Sequence, residues 1–209
     1  MEQTRYLTWK YFPLHLEANE ISNPILILEE FYNISSLSGH LRLLKKWRKY
    51  IINTGYYKGR NGDPSDLLMV HADTIRLIEA VFLLDGLEGD DYRLIIEAEL
   101  IQRQVALEQK EWDDYPRLLS KKQIGDPMRV IKKFCRLYKL PEYREHLQEW
   151  LIYGLSVAEC DEFFIAADFI SIYDNLQKLF EACWLLYMRY KKPVKMNEQE
   201  PDQSQGDLA

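Results

Sequence analysis

Two stretches of this chain, LIEAVFLL at residues 77–84 and LFEACWLL at residues 179–186, set a glutamate and the same following alanine into an otherwise apolar run. The likeness extends well beyond them. With the chain displaced by 103 residues, Asn23 and Pro24 fall on Asp126 and Pro127. Phe31, Leu37, Leu44, Trp47 and Tyr50 fall on Phe134, Leu140, Leu147, Trp150 and Tyr153. A displacement of 102 carries Asp66 to Asp168 and Glu79 to Glu181, with Leu77, Ala80, Leu83 and Leu84 matched as well. The identities are six of 28 and six of 20 aligned positions, and they keep the order of helix start, Trp, Tyr and Glu. A recurrence on this scale constrains the fold more than any local pattern, because each half must build the same supersecondary unit. The chain is therefore read as internally duplicated.

The repeated unit is helical. Asn23 is a good N-cap and Pro24 fits the first helical position, where its missing N–H costs nothing. Asp63 with Pro64, and Asp126 with Pro127, repeat that start. A helix is expected from about Ser38 through Ile52, ending at the glycine-rich NTGYYKGRNGD, and another from Asp91 to Glu111. Only nine glycines and eight prolines in 209 residues leave room for long helices. The expectation is an all-α protein of about eight helices, two pseudo-symmetric three-helix units plus a connecting helix in one helical-bundle domain. Its divisions are an N-terminal arm over 1–22, extended or a short helix; a first repeat over 23–86; a connecting helix and linker over 87–125; a second repeat over 126–190; and a basic, then disordered, tail over 191–209. Ser156 and Glu159 have the spacing of a capping box, which leaves 156–190 as one helix or two.

Composition narrows the class of function. A net charge of −6 opposes wholesale polyanion binding and leaves room for a local basic face. No apolar run reaches the roughly 18 residues of a membrane span, and MEQTRYLTWKYF does not read as a secretory leader. Cys135, Cys160 and Cys183 sit in apolar helical contexts without C-x-x-C spacing, as reduced thiols would. A cytoplasmic location is expected.

Glu79 falls within an apolar stripe of its helix, between Leu68, Ile75 and Phe82 on one side and Ala72 and Leu83 on the other. A buried carboxylate needs partners. Candidates that recur with it are Arg76 and Lys178, each three residues before its glutamate, and the polar tips of Trp47, Trp150, Tyr50 and Tyr153. The structural reading makes Glu79, Glu181, Trp47 and Trp150 repeated buried polar pins. The chemical reading makes the two glutamates a shared acid/base or ligand-binding site. A di-metal version lacks Glu-x-x-His, and His15, His40, His71 and His146 show no mutual ligand spacing. No metal or cofactor is expected, and no G-x-S-x-G, H-E-x-x-H, Walker-type or G-x-G-x-x-G motif nominates an enzyme.

Positions the halves do not share are the better guide to function. In the first half Arg42, Lys45, Lys46 and Lys49 fall within roughly 100° of one helix face, with Arg48 at the seam. Tyr56, Tyr57, Lys58 and Arg60 follow in the next loop. The corresponding face of the second half reads Glu145, Gln148, Glu149 and Ile152, so the charge reverses. A second basic group, Arg189, Lys191, Lys192 and Lys195, ends the last helix, where it suits the helix dipole. The favoured function is a non-enzymatic interaction or adaptor protein that binds a protein partner or a second copy, as in a dimer. One alternative puts nucleic acid on the basic aromatic face. The other puts an enzyme or small-ligand site at the paired glutamates.

Overall fold

The computed structural model describes residues 12–52, 64–86, 96, 100–156 and 166–191. Nine α-helices occupy most of these residues: α1 (Ala18–Ser22), α2 (Ile25–Ile34), α3 (Leu37–Ile52), α4 (Pro64–Gly86), α5 (Ile101–Glu111), α6 (Lys121–Gly125), α7 (Met128–Leu137), α8 (Leu140–Leu155) and α9 (Ala166–Lys191). No strand occurs among the described residues. Nine helices among the described residues stand against the expected eight or so; α1 falls in the N-terminal arm, where a short helix was one alternative, and α6 was not expected, both being single turns too short to show a hydrophobic period. Each is held by a reciprocal capping box. Gln123 N–H donates to Ser120 Oγ and Ser120 N–H to Gln123 Oε1, while Glu17 N–H donates to Glu20 Oε2.

Several boundaries differ from the sequence expectation. α2 and α7 start one residue later, with Pro24 and Pro127 in the cap positions at φ of −62° and −60°. Asn23 is therefore not a side-chain N-cap, and its buried Oδ1 has no hydrogen-bond partner. Helix does not run from Asp91 to Glu111. Ile96 is non-helical and donates its N–H to Gly125 O, and α5 begins at Ile101. Ser156 closes α8 by donating its N–H to Ile152 O, whereas Glu159 lies outside the described residues. The starts and ends of α6, α7 and α8 lie 103 residues after those of α1, α2 and α3.

The helices pack as a bundle around α4 and α9. Every residue of α9 from Leu179 to Arg189 is buried, so this helix needs neighbours on all sides. α2, α3, α6 and α7 provide them. α4 is covered by α1, α2, α7 and α8, and α3 crosses α8. In α3 the residues Leu37, His40, Leu44, Trp47 and Ile51 turn inward at helical spacing, and α8 repeats the arrangement with Leu140, Tyr143, Leu147, Trp150 and Leu151. Gly154 lets α8 approach closely: a Cβ there would stand 3.3 Å from Leu67 Cδ1 and 3.5 Å from Trp47 Nε1. Fully burying one large apolar side chain stabilises by about 1.5–3 kcal/mol, so the Trp, Phe and Leu layer between α3, α4, α8 and α9 dominates the energetics.

Candidate functional site

The outward face of α3 carries the positive charge. Arg42, Lys45 and Lys49 are exposed, and Lys46 and Arg48 are half-buried. With Ile52, which is 55% exposed, these five cations line a concavity of about 480 Å³. Among the described residues the lining holds no carboxylate. Arg48 is fixed by its guanidinium lying 4.7 Å over the Tyr173 ring of α9. Like charges three and four residues apart repel by a few tenths of a kcal/mol each, so the face is held at some electrostatic cost. Tyr56, Tyr57, Lys58 and Arg60, expected to extend this face, lie outside the described residues. On α8 the positions 103 later, Glu145, Gln148, Glu149 and Ile152, are all exposed. Within that face His146 approaches a carboxylate, with Nδ1 at 3.8 Å from Glu149 Oε2.

Both repeated glutamates are buried, Glu79 at 0% and Glu181 at 1% exposure. Their partners are not the ones their own helices suggested. Arg76 turns away from Glu79 and pairs with Glu20 at 2.5 Å and with both oxygens of Glu30 at 2.8 and 2.9 Å. Its guanidinium holds the Glu30 carboxyl below the usual range. Glu79 instead accepts His15 N–H at 2.8 Å on Oε2, with His15 Nδ1 at 2.8 Å from Oε1. Arg144 of α8 donates to Oε1 from Nε at 3.0 Å and from its terminal nitrogen at 2.5 Å. The same guanidinium reaches Phe12 O at 2.8 Å, so Glu79 and Arg144 together secure the segment before α1.

Glu181 does the matching work for the segment before α6. It accepts Arg117 N–H on Oε1 and Leu118 N–H on Oε2, each at 2.8 Å, and Lys178 has no part in it. Burial pushes its carboxyl above the ordinary value, against the opposing pull of the Arg117, Leu118 and Leu119 N–H groups. Among the described residues no donor serves both glutamates, and each has its own set of partners.

The tryptophans also depart from expectation. Trp47 Nε1 donates to Trp150 O at 3.2 Å, not to a glutamate, and the two rings meet edge-on with centroids 5.6 Å apart. Arg189 leaves the basic group at the end of α9. It is buried and clamps Glu108 of α5 at 2.7 and 3.0 Å, while also donating to Ile124 O at 2.7 Å. Gln104 and Tyr115 complete the Glu108 shell at 3.0 Å each. Lys191 pairs with Glu29, and Lys192 and Lys195 lie outside the described residues.

Sequence reasoning missed His15 and Arg144 as partners of Glu79 because they stand 64 and 65 residues away, on segments with no periodic relation to it. It also missed a second concavity, of about 290 Å³, walled by Tyr32, Trp112, Trp184 and Tyr187. The run EWDDY at 111–115 was the available signal, three carboxylates around an aromatic residue in a connection between helices. Among the described residues no group of three or more His, Cys, Asp and Glu side chains is disposed to hold a metal ion, and no helix is long and apolar enough to cross a membrane. No protein-family model, curated protein or solved structure matches this chain.

Proposed function

We propose that this protein is an internally duplicated interaction protein that works by binding, and that its α3 cleft receives the acidic face of α8 from a second copy. The observation that carries the reading is the cleft itself, five cations around an exposed isoleucine, with no carboxylate among the described residues of the lining. The α8 face reverses its charge at two positions, Glu145 for Arg42 and Glu149 for Lys46. Arg42 and Lys46 are one helical turn apart, as are Glu145 and Glu149, and Ile152 supplies an apolar side chain to meet Ile52. Pairing two helices through such faces sets opposite charges together and covers apolar surface that each leaves to water.

Several features support the duplication. The packing pairs exchange with one another when α2, α3 and α4 are traded for α7, α8 and α9: α4 on α8 becomes α9 on α3, and α2 on α9 becomes α7 on α4. Trp47 and Trp150, equivalent by the repeat, touch each other, as residues beside a pseudo-twofold axis do. His40 stacks on Phe31 and donates to its carbonyl at 2.7 Å, and Tyr143 does the same to Phe134 at 2.9 Å. A catalytic role for the glutamates is not favoured, since their oxygens are taken up by donors of the fold itself.

Sedimentation velocity across concentration and ionic strength tests the reading. The expected result is self-association at low salt that weakens as exposed charges are screened. Arg42→Glu with Lys46→Glu, and separately Glu145→Lys with Glu149→Lys, should each give monomers, and mixing the two should restore a complex. A wild-type monomer at every concentration, or a mixture that stays monomeric, overturns the proposal. Retardation of nucleic acid that depends on the same α3 residues would assign the face to that alternative instead.

A further inference from the structure

We infer that the concavity between α2, the α5–α6 connection and α9 is a binding site for an organic cation, an alkylammonium or guanidinium group. Four aromatic side chains wall it, and its rim carries the carboxylates of Glu111, Asp113 and Asp114, with no lysine or arginine among the described residues of the lining. An aromatic face attracts a cation through its quadrupole, and apolar substituents on the cation add area burial. Its volume of about 290 Å³ has room for a trimethylammonium head or the end of a lysine or arginine side chain.

The walls are preorganised. Trp184 Nε1 donates to Asp114 O at 3.0 Å, Tyr32 OH to Phe180 O at 2.5 Å and Tyr187 OH to Asn33 Oδ1 at 3.4 Å. The rings also brace one another, with Tyr32 centred 5.0 Å from Trp184 and 5.4 Å from Tyr187. Trp112 is different. It is only 6% exposed, and its buried Nε1 has no hydrogen-bond partner. Asp114 Oδ2 accepts Ser38 N–H at 3.0 Å, while Glu111 and Asp113 form no ion pair among the described residues. Lys191, whose Nζ is 5.4 Å from the Tyr187 ring centre, is tied to Glu29 and is not part of the lining.

The repeat adds a separate argument. The positions corresponding to Tyr32, Trp184 and Tyr187 are Cys135, Phe82 and Asp85, so half the fold is built without this aromatic set. The shared core therefore does not require it.

The test titrates the full-length protein with choline chloride and, in parallel, with 3,3-dimethyl-1-butanol, its neutral isostere. The indole N–H signals of Trp112 and Trp184 report occupancy by NMR. Choline should shift both saturably, and the neutral alcohol should not. Glu111→Gln with Asp113→Asn, both at exposed positions, should weaken choline binding by about tenfold while leaving the melting temperature unchanged. Equal responses to choline and the alcohol, or no response to choline at 0.1 M, overturn the inference. Titration with N-acetyl-trimethyllysine amide and N-acetyl-arginine amide then separates the sources. Tighter binding of either than of choline assigns the site to a side chain of a protein partner, and the reverse assigns it to a free amine.

Discussion

Replacing Glu181 by Gln tests how the repeated glutamate holds the fold, because it keeps the side chain's shape and removes one acceptor. The two carboxylate oxygens receive the backbone N–H groups of Arg117 and Leu118, each at 2.8 Å, with the Leu119 N–H beside them. Gln offers a single carbonyl, so its amide N–H₂ must face the second backbone donor. The lost hydrogen bond to a charged acceptor is worth about 1.5–3 kcal/mol, and the stranded donor adds a penalty of about 1–3 kcal/mol. Against these stands the relief of no longer burying a carboxylate at 1% exposure, the same desolvation that raises its pKa. The net loss is about 2 kcal/mol, which for a chain of this size lowers the melting temperature by about 4–8 °C. Amide hydrogen exchange should show Arg117 and Leu118 losing protection ahead of the α9 core.

The effect also has a pH signature. A carboxyl whose folded-state pKa lies above its unfolded value contributes stability that is fully present below the unfolded value, near 4.5, and lost as pH rises through the folded one. The advantage of wild type over Glu181→Gln should therefore grow as pH falls from 7 toward 4.5. A variant that melts within about 1 °C of wild type, with Arg117 and Leu118 still protected, would refute the reasoning.

Other perturbations have equally definite outcomes. Glu79→Gln should cost more than Glu181→Gln, about 3 kcal/mol by chemical denaturation, because it also strips the Arg144 guanidinium of its counter-charge. Burial lowers the His40 pKa, so the stability it provides is present above 6.5 and lost as pH falls through its folded-state value. His40→Tyr, copying Tyr143, should shift stability at neutral pH by under about 2 kcal/mol and reduce the acid-induced loss below pH 6.5. Trp47→Ala and Trp150→Ala should each cost about 3–5 kcal/mol, and the double variant less than their sum, since the rings touch. Burial pushes the Cys135 and Cys183 thiols well up, so a thiol reagent at pH 8 should label neither until the protein is denatured.

Helix type and approximate ends were legible because they are written locally. The i, i+3, i+4 spacing of Leu37, His40, Leu44 and Trp47, and the prolines at 24, 64 and 127, act within a turn or two of chain. The one-turn helix α6 was not legible, and α1 only as one of two alternatives for the N-terminal arm, since five residues show no period. The outward α3 cations were legible for the same reason that the inward leucines were, as the two faces of one amphipathic helix. The cleft they line was not, because a concavity also needs a neighbouring wall.

The destiny of each buried charge belongs to the tertiary structure. The sequence by itself determined that Glu79 and Glu181 would lie on apolar helix faces and would need donors. Arg76 and Lys178 satisfied the local rule, but packing turned Arg76 toward Glu20 and Glu30 and brought His15 and Arg144 to Glu79. Arg189 likewise reads as a surface cation until α5 delivers Glu108 to it. Helical periodicity encodes which side of a residue faces inward. Which partner waits there depends on how α4 lies on α8 and α3 on α9, a choice made by shape and buried area summed over the whole core.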